Sequence, residues 1–102
     1  MTRSYTLGPA AIADLKSIAA YIALDNPAAA GRMQRLFFER FKVLAANSEM
    51  GQTWPFPGND FRTISVGSYV IVFRPAENGV QIIRVLHGAR DLETLLRNSP
   101  LE

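Results

Sequence analysis

Apolar residues are most concentrated in the segment 69–91, YVIVFRPAENGVQIIRVLHGARD. Two runs rich in Val, Ile, Phe and Tyr, residues 69–73 and 80–86, are separated by Pro75 and by Asn78-Gly79, a dipeptide that favours the positive φ angles of a tight turn. This pattern predicts a β-hairpin. Both runs are apolar at nearly every position, whereas a half-exposed strand alternates, so we expect these two strands at the centre of a sheet.

The register of this hairpin decides which polar side chains share a face. If Asn78-Gly79 forms a two-residue turn, Arg74 lies opposite Ile83. The same register places Val70 opposite His87, on the same face of the sheet. A one-residue bulge would reverse this parity for one of the strands.

An amphipathic helix is predicted before the hairpin. It begins at Pro9, which suits the first helical position because the missing N–H of proline costs nothing there. From Pro9 to Leu24 the apolar residues recur at spacings of three and four, which places Asp14 and Lys16 on the outer side of the helix.

A second helix follows at once, with Asn26 as its predicted N-cap and Pro27 as its first residue. It is expected to run to about Ala46. A connection this short predicts an antiparallel helical hairpin. The apolar stripe of the second helix is interpreted as core and not as a cofactor site; it consists of Met33, Phe37, Phe41 and Leu44.

Three further elements complete the predicted order. The alternation in 3–7 indicates a short edge strand, and 61–66 reads as a strand that the tight turn at Gly67-Ser68 joins to the hairpin. The segment 89–98 has leucines on one side and is predicted to be a short C-terminal helix.

The segment 47–60 holds two prolines and two glycines and is predicted to be an irregular loop. We expect its Trp54 and Phe56 to pack over the sheet rather than to form a recognition loop. The whole pattern predicts an α+β fold: an N-terminal strand, an α-helical hairpin, a three-stranded antiparallel meander and a short C-terminal helix.

The composition narrows the class of protein. With 102 residues, 48% of them hydrophobic, the chain fits a single domain over 1–102 that needs no metal or disulfide to hold its core. There are no cysteines and no apolar run that could span a membrane, so we expect a cytoplasmic protein. The net charge is only +2, and the 11 basic residues are mostly arginine, which suits a surface that meets acidic groups on a protein or a nucleic acid. A coding bias would give the same composition.

Motifs for enzymatic chemistry are sparse. The sequence has no glycine-rich phosphate loop, no local Ser/His/Asp spacing and no carboxylate cluster spaced for a metal, so we expect neither a metal nor a cofactor. The only histidine, His87, could serve as an acid or base together with Arg84 and Arg90, because imidazole is the side chain best suited to proton transfer at neutral pH. We favour a structural interpretation, in which the ring of His87 hydrogen-bonds the backbone or a neighbouring carboxylate such as Asp91 and so fixes the turn into the C-terminal helix.

The ordered segments YTL, AIADLKSIAAYIALDNPAAA, FKVLAANSEMG, FRTISVGSYVIVFR and VQIIRVLHGARD cover nearly the whole chain. Together they resemble the ParE toxins of the ParE/RelE superfamily, the toxin halves of bacterial type II toxin–antitoxin pairs. The most specific pieces are the DNP helix junction, the turn at 67–69 with Arg74 closing its strand, and the ending RVLHGARD.

This resemblance implies the RelE/ParE-like fold and a toxin that poisons DNA gyrase by trapping it on cleaved DNA, as in plasmid-stabilisation systems. It also implies neutralisation by a ParD-type antitoxin, through which alone the pair would bind operon DNA. The related RelE branch instead cuts messenger RNA on the ribosome. RelE-like nucleases have an arginine where this chain has Val70, an arginine matched by Arg90, and an acid or base where it has Leu96. Since two of the three positions are apolar, we predict a non-enzymatic toxin.

The interaction surfaces can be assigned as hypotheses. The target-binding candidates lie in the C-terminal segment: Arg90, Leu95 and Arg97. The antitoxin-binding candidates lie on the helical hairpin and near the open sheet face: Tyr21, Leu24, Phe38, Arg62 and Arg74. The alternative for Tyr21 and Phe38 is that both are core. No catalytic residue is expected; in the alternative ribonuclease, Arg84, His87 and Arg90 would be catalytic.

Overall fold

The computed structural model describes residues 3–54, 59–88 and Asp91. The described residues form a five-stranded sheet and a helical hairpin, an α+β architecture. In chain order the elements are β1 (Ser4–Leu7), α1 (Pro9–Ala23), α2 (Pro27–Ala46), β2 (Gln52–Thr53), β3 (Arg62–Val66), β4 (Tyr69–Ala76) and β5 (Gly79–His87). Of the predicted C-terminal helix, residues 89–98, the structure describes Asp91 alone, and Phe56 lies outside the described residues.

The sheet order is β1-β5-β4-β3-β2, which places the two apolar strands β4 and β5 inside the sheet and β1 at an edge, as predicted. The strand β1 runs parallel to β5, and β3, β4 and β5 form the predicted antiparallel meander. The sequence analysis missed β2, a two-residue strand within the predicted loop that pairs with β3.

The helical hairpin begins and ends close to the predicted positions. Pro9 and Pro27 are the first helical residues, and the Asn26 side chain accepts a hydrogen bond from the Ala29 N–H at 3.1 Å, as an N-cap should. One detail of α1 was wrong. Asp14 is not on its outer side: this side chain turns towards β5, while Ile12 is on the exposed side at 41%. The buried stripe of α1 runs through Ala11 and Leu15, because α1 packs against β5 as well as α2.

The predicted register of the β4–β5 hairpin was also wrong. Ala76 pairs with Gly79, so the two turn residues are 77 and 78. Arg74 therefore lies opposite Gln81, and Tyr69, beyond a one-residue shift of register, lies opposite His87. Gly79 has a φ of +146°, and a Cβ there would lie 1.7 Å from the Ser4 carbonyl oxygen. Gly79 is thus needed because β1 passes too close for a side chain at this position. Local turn preferences cannot predict such a contact between distant residues.

A shift of register between Val72 and Phe73 adds one residue to β5 relative to β4. This is the one-residue irregularity that would reverse the parity of a strand. It allows Ile82 and Val85, three positions apart, to pack into the same core under the helices.

The two sheet faces carry separate apolar clusters. The helix-covered face holds the main core, in which the largest fully buried side chains are Phe37, Phe41, Phe73, Leu44, Ile71 and Ile82. The opposite face holds a smaller cluster of Trp54, Phe61, Val72 and Leu86, with Val70 and Ile83 packed against it. The prediction that Trp54 packs over the sheet is confirmed, since it is buried and its ring meets Phe61 at 6.3 Å.

Candidate functional site at the end of β5

A carboxylate from α1 binds the edge of β5. The strand β1 ends at Leu7, opposite Ile82, so it cannot pair with the rest of β5. Beyond that point the Asp14 carboxylate accepts a hydrogen bond from the Val85 N–H at 2.9 Å. Asp14 thereby satisfies a backbone group that the short strand leaves unpaired.

The same carboxylate holds Arg84 through two hydrogen bonds. Arg84 Nε lies 2.7 Å from Asp14 Oδ2, and its Nη2 lies 2.9 Å from Oδ1. This is the bidentate geometry that makes arginine–carboxylate pairs strong. The two side chains are 27% and 16% exposed, so the pair is partly shielded from water.

The Asp14 pair also fixes the charge state of Arg84. The hydrogen bond that Arg84 donates to Asp14 raises the pKa of Arg84 above its usual value; burial opposes this shift, and the charges of Asp14 and Asp91 add to it. A raised pKa of a cation contributes stability that is complete below the pKa of the unfolded chain and is lost only above it. For an arginine that loss lies far above neutral pH, so Arg84 stays a cation and is not a proton donor.

His87 lies at the end of β5, beside a small cleft. Its backbone N–H donates to Asp91 Oδ2 at 2.8 Å, and its ring meets Tyr69 edge-on at 5.4 Å. Nδ1 is buried and has no hydrogen-bond partner among the described residues. The cleft has a volume of about 290 Å³ and is lined by Ser17, Ile18, Tyr21, Tyr69, His87 and Asp91.

These positions can be compared with the catalytic set of the alternative ribonuclease, which consists of Arg84, His87 and Arg90. Of its three members, Arg84 and His87 lie three positions apart on β5, but the guanidinium of Arg84 is held by Asp14. Arg90 lies outside the described residues. No group of three or more His, Asp or Glu side chains within the described ranges could hold a metal ion. The structural interpretation of His87 gave its ring a hydrogen bond to the backbone or to a carboxylate such as Asp91. In the structure it is the backbone N–H of His87 that donates to Asp91.

Val70 occupies a different environment from His87. It packs against the cluster of Trp54, Phe61, Val72 and Leu86, on the sheet face away from the helices. The position at which RelE-like nucleases carry an arginine is therefore part of an apolar contact in this chain. Leu95, Leu96 and Arg97 lie outside the described residues, so the target-binding assignment stays a prediction.

The antitoxin-binding candidates divide into exposed and engaged side chains. Tyr21 and Leu24 are exposed at 73% and 87% near the tip of the helical hairpin, and both line a groove of about 550 Å³. Phe38 instead packs on the core, with its ring 5.6 Å from Phe41. The assignment of these residues to an antitoxin surface stays a prediction.

The two arginine candidates are hydrogen-bonded within the chain. Arg62 Nε donates to the Met50 carbonyl at 2.9 Å and Nη2 donates to the carbonyls of Glu49 and Gly51, which ties the loop before β2 to the sheet. Arg74 Nε donates to the Gln81 side chain at 3.0 Å.

Sequence reasoning missed Asp14, Ser17 and Tyr69 as residues of this region. The signal for Asp14 was its place between Ala11 and Leu15, the two buried residues of α1, where a carboxylate is expected only with a partner. Ser17 and Tyr69 gave no local signal, since a serine on a helix and a tyrosine in a strand are ordinary.

The described elements assemble into the RelE/ParE-like fold, in which a helical hairpin covers one face of an antiparallel meander. The family model of the ParE toxin of the type II toxin–antitoxin system, parDE, matches residues 5–92. This chain belongs to that family.

One solved structure, the chromosomal ParDE TA system from P. aeruginosa, is similar to this chain with a TM-score of 0.71 and 26% sequence identity. The match covers 85% of this chain and 97% of that chain. No curated protein matches the sequence significantly. Within the described residues, no helix is both long and apolar enough to cross a membrane.

Proposed function

We propose that this chain, as one domain over 1–102, is a cytoplasmic toxin that poisons DNA gyrase through direct protein contact and is neutralised by a ParD-type antitoxin. Membership of the ParE family supports the toxin class. The observation that carries the non-enzymatic mechanism is the packing of Val70 into the apolar cluster on the loop-covered sheet face. Cleavage of RNA without a metal needs a cation to stabilise the charge of the transition state, and valine supplies none.

The surfaces of this proposal are separate. Arg90, Leu95 and Arg97 in the C-terminal segment would contact gyrase. Tyr21 and Leu24 would anchor the antitoxin, because large exposed apolar side chains are the usual centres of protein interfaces. Operon DNA would be bound through the antitoxin.

A plasmid supercoiling assay with purified gyrase tests the target, with detergent and protease added at the end to reveal trapped breaks. We expect loss of supercoiling and an accumulation of linear DNA. The His87→Ala variant should poison gyrase within about threefold of the parent chain, since His87 has no catalytic part in this mechanism. Arg90→Ala is the matched variant in the target-binding segment and should abolish poisoning.

The cleft beside His87 favours a second candidate, a ribosome-dependent mRNA endoribonuclease that uses Arg84, His87 and Arg90. It requires that gyrase be unaffected and that mRNA be cut on ribosomes. A folded His87→Ala variant that has lost all toxicity would support this candidate and contradict the gyrase proposal.

The antitoxin surface is tested by Leu24→Ser. The variant should stay toxic when expressed alone but should bind the antitoxin at least tenfold more weakly, because it loses an apolar anchor that is 87% exposed in the free toxin. Val43→Ser on α2, which is exposed at 39%, is the control and should be neutralised normally. Equal neutralisation of both variants would place the antitoxin elsewhere.

A further inference from the structure

The outer side of α2 carries a group of cations without ionic partners. Arg32, Arg35, Arg40 and Lys42 are all exposed. Within the described part of the chain, the ion pairs are Arg62–Glu49 and Arg84–Asp14, so none of these four cations is paired. Their charge is directed to solvent.

Three of these cations share one helix face. Residues 32, 35, 39 and 42 are separated by three, four and three positions, so they lie along one side of a helix. This side is opposite the core residues of α2, such as Phe37 and Phe41. We call Arg32, Arg35 and Lys42 the basic face; Glu39 lies within it and Arg40 flanks it. At a rise of 1.5 Å per residue, the basic face is about 15 Å long.

We propose that the basic face binds the phosphate backbone of duplex DNA, independently of sequence. About 15 Å of duplex carries roughly nine phosphate charges, so a helix lying along the DNA can meet several phosphates at once. Arginine, which supplies two of the three cations, pairs with phosphate through two parallel hydrogen bonds.

An acidic protein fits this surface less well than DNA. The centre of a protein interface usually holds aromatic or large apolar anchors. Among the exposed large hydrophobic residues of the described chain, α2 contributes only Val43, whereas Tyr21 and Leu24 stand at the hairpin tip. The basic face therefore has the charge of a binding surface without the anchors of a protein interface.

The basic face also has no asparagine or glutamine to read adenine edges. Asn and Gln side chains are the usual partners of adenine edges. The glutamine of α2, Gln34, donates its side-chain hydrogen bond to the Leu15 carbonyl at 3.4 Å and so faces α1. Binding by phosphate contacts alone positions a protein on DNA without selecting a sequence.

This contact goes beyond the proposed function. The resemblance to ParE places DNA binding in the antitoxin, whereas the basic face would give the toxin a direct contact of its own. The contact needs neither gyrase nor the antitoxin, so it can be tested on the toxin alone.

The test is the fluorescence anisotropy of a labelled 20-base-pair duplex, titrated with the full chain at NaCl concentrations from 50 to 200 mM. Three to four phosphate contacts predict that log K falls with log salt with a slope of about −3. Arg35→Gln should make this slope shallower by about 1 and weaken binding several-fold at 50 mM salt. Glu39→Gln removes the anion from the basic face and should tighten binding several-fold.

Arg3→Gln is the matched control. It removes the same charge from an exposed position just before the edge strand β1 and leaves α2 unchanged. It should leave the slope and the affinity unchanged.

Three results would overturn the proposal: no binding at 50 mM salt, equal effects of Arg35→Gln and Arg3→Gln, or weaker binding by Glu39→Gln. A fourth is that Arg35→Gln weakens the binding of polyglutamate but not of the duplex, which would assign the basic face to an acidic protein. Gyrase is absent from the assay, so a failure of the gyrase proposal leaves these results unaffected.

Discussion

The two faces of the sheet are covered by different parts of the chain. The helix-covered face holds the main core, whereas the other face holds the position that distinguishes this chain from a RelE-type nuclease. The helix-covered face meets α1 and α2 through large side chains that are fully buried, among them Phe37 and Phe41. The other face is covered by Trp54 from the loop, over a smaller cluster. The bidentate pair of Asp14 and Arg84 lies at the edge of β5, beyond the end of β1. A nuclease of the RelE type would need a cation at the position of Val70, which in this chain belongs to the apolar, loop-covered face.

The largest expected effect is on the helix-covered face. Phe41 is fully buried and its ring contacts both Tyr5 and Phe38, so Phe41→Ala leaves a cavity that its neighbours cannot fill. We expect it to lower the free energy of unfolding by about 3–5 kcal/mol, measured by urea denaturation. Val43→Ala, two residues along the same helix on the exposed side, is the control and should change stability by less than about 0.5 kcal/mol. A loss below about 1.5 kcal/mol for Phe41→Ala would mean that this face is not the main core.

A smaller effect is expected at the edge of β5. Asp14→Ala leaves the Arg84 guanidinium and the Val85 N–H without their acceptor, and we expect a loss of about 2 kcal/mol because both groups are only partly shielded from water. Asp14→Asn keeps an acceptor for the Val85 N–H and should lose roughly half as much. Asp25→Ala, an exposed aspartate at the hairpin tip, should be neutral within about 0.5 kcal/mol.

A double-mutant cycle isolates the Asp14–Arg84 pair. The variants Asp14→Ala, Arg84→Ala and the double variant should give a coupling energy of about 1–2 kcal/mol. A coupling near zero would show that Asp14 acts through the backbone of Val85 alone. The pair is expected to keep its contribution throughout the neutral pH range, because the raised pKa of Arg84 leaves it charged.

Local signals were sufficient for most of the fold. Pro9, Asn26 and Pro27 set the helix starts because caps and proline act within one turn, and unbroken apolar runs placed β4 and β5 inside the sheet. The predicted register of the β4–β5 hairpin was wrong because Gly79 is required by a close contact with Ser4, more than seventy residues away, and not by the turn.

The candidate site was less predictable than the fold for the same physical reason. Arg84 and His87 were identified because both lie in one strand. Their partner Asp14 comes from α1, and the pairing depends on where β1 ends on β5. The spacing of apolar residues in α1 predicted that Asp14 faces solvent, because such a pattern takes no account of contacts between the helix and a distant strand.

The smallest effect on stability is expected at Val70, and this variant tests the difference between the two sheet faces most directly. Val70→Arg places a cation at the position where RelE-like nucleases carry one. Val70 is half-buried at the border of the Trp54 cluster, so the arginine stem can lie along the apolar surface while its head reaches water. We expect a loss of about 1 kcal/mol in the free energy of unfolding.

The functional result of Val70→Arg follows from the composition of the loop-covered face. A single arginine does not supply the acid or base that cleavage also needs, so no mRNA fragments should form when the variant is added to translating ribosomes. Val70→Thr keeps the shape of the side chain and is the control for stability and for gyrase poisoning. Messenger RNA cut by Val70→Arg but not by Val70→Thr would show that this face retains a latent nuclease site, and the separation of the two faces into packing and function would then be wrong.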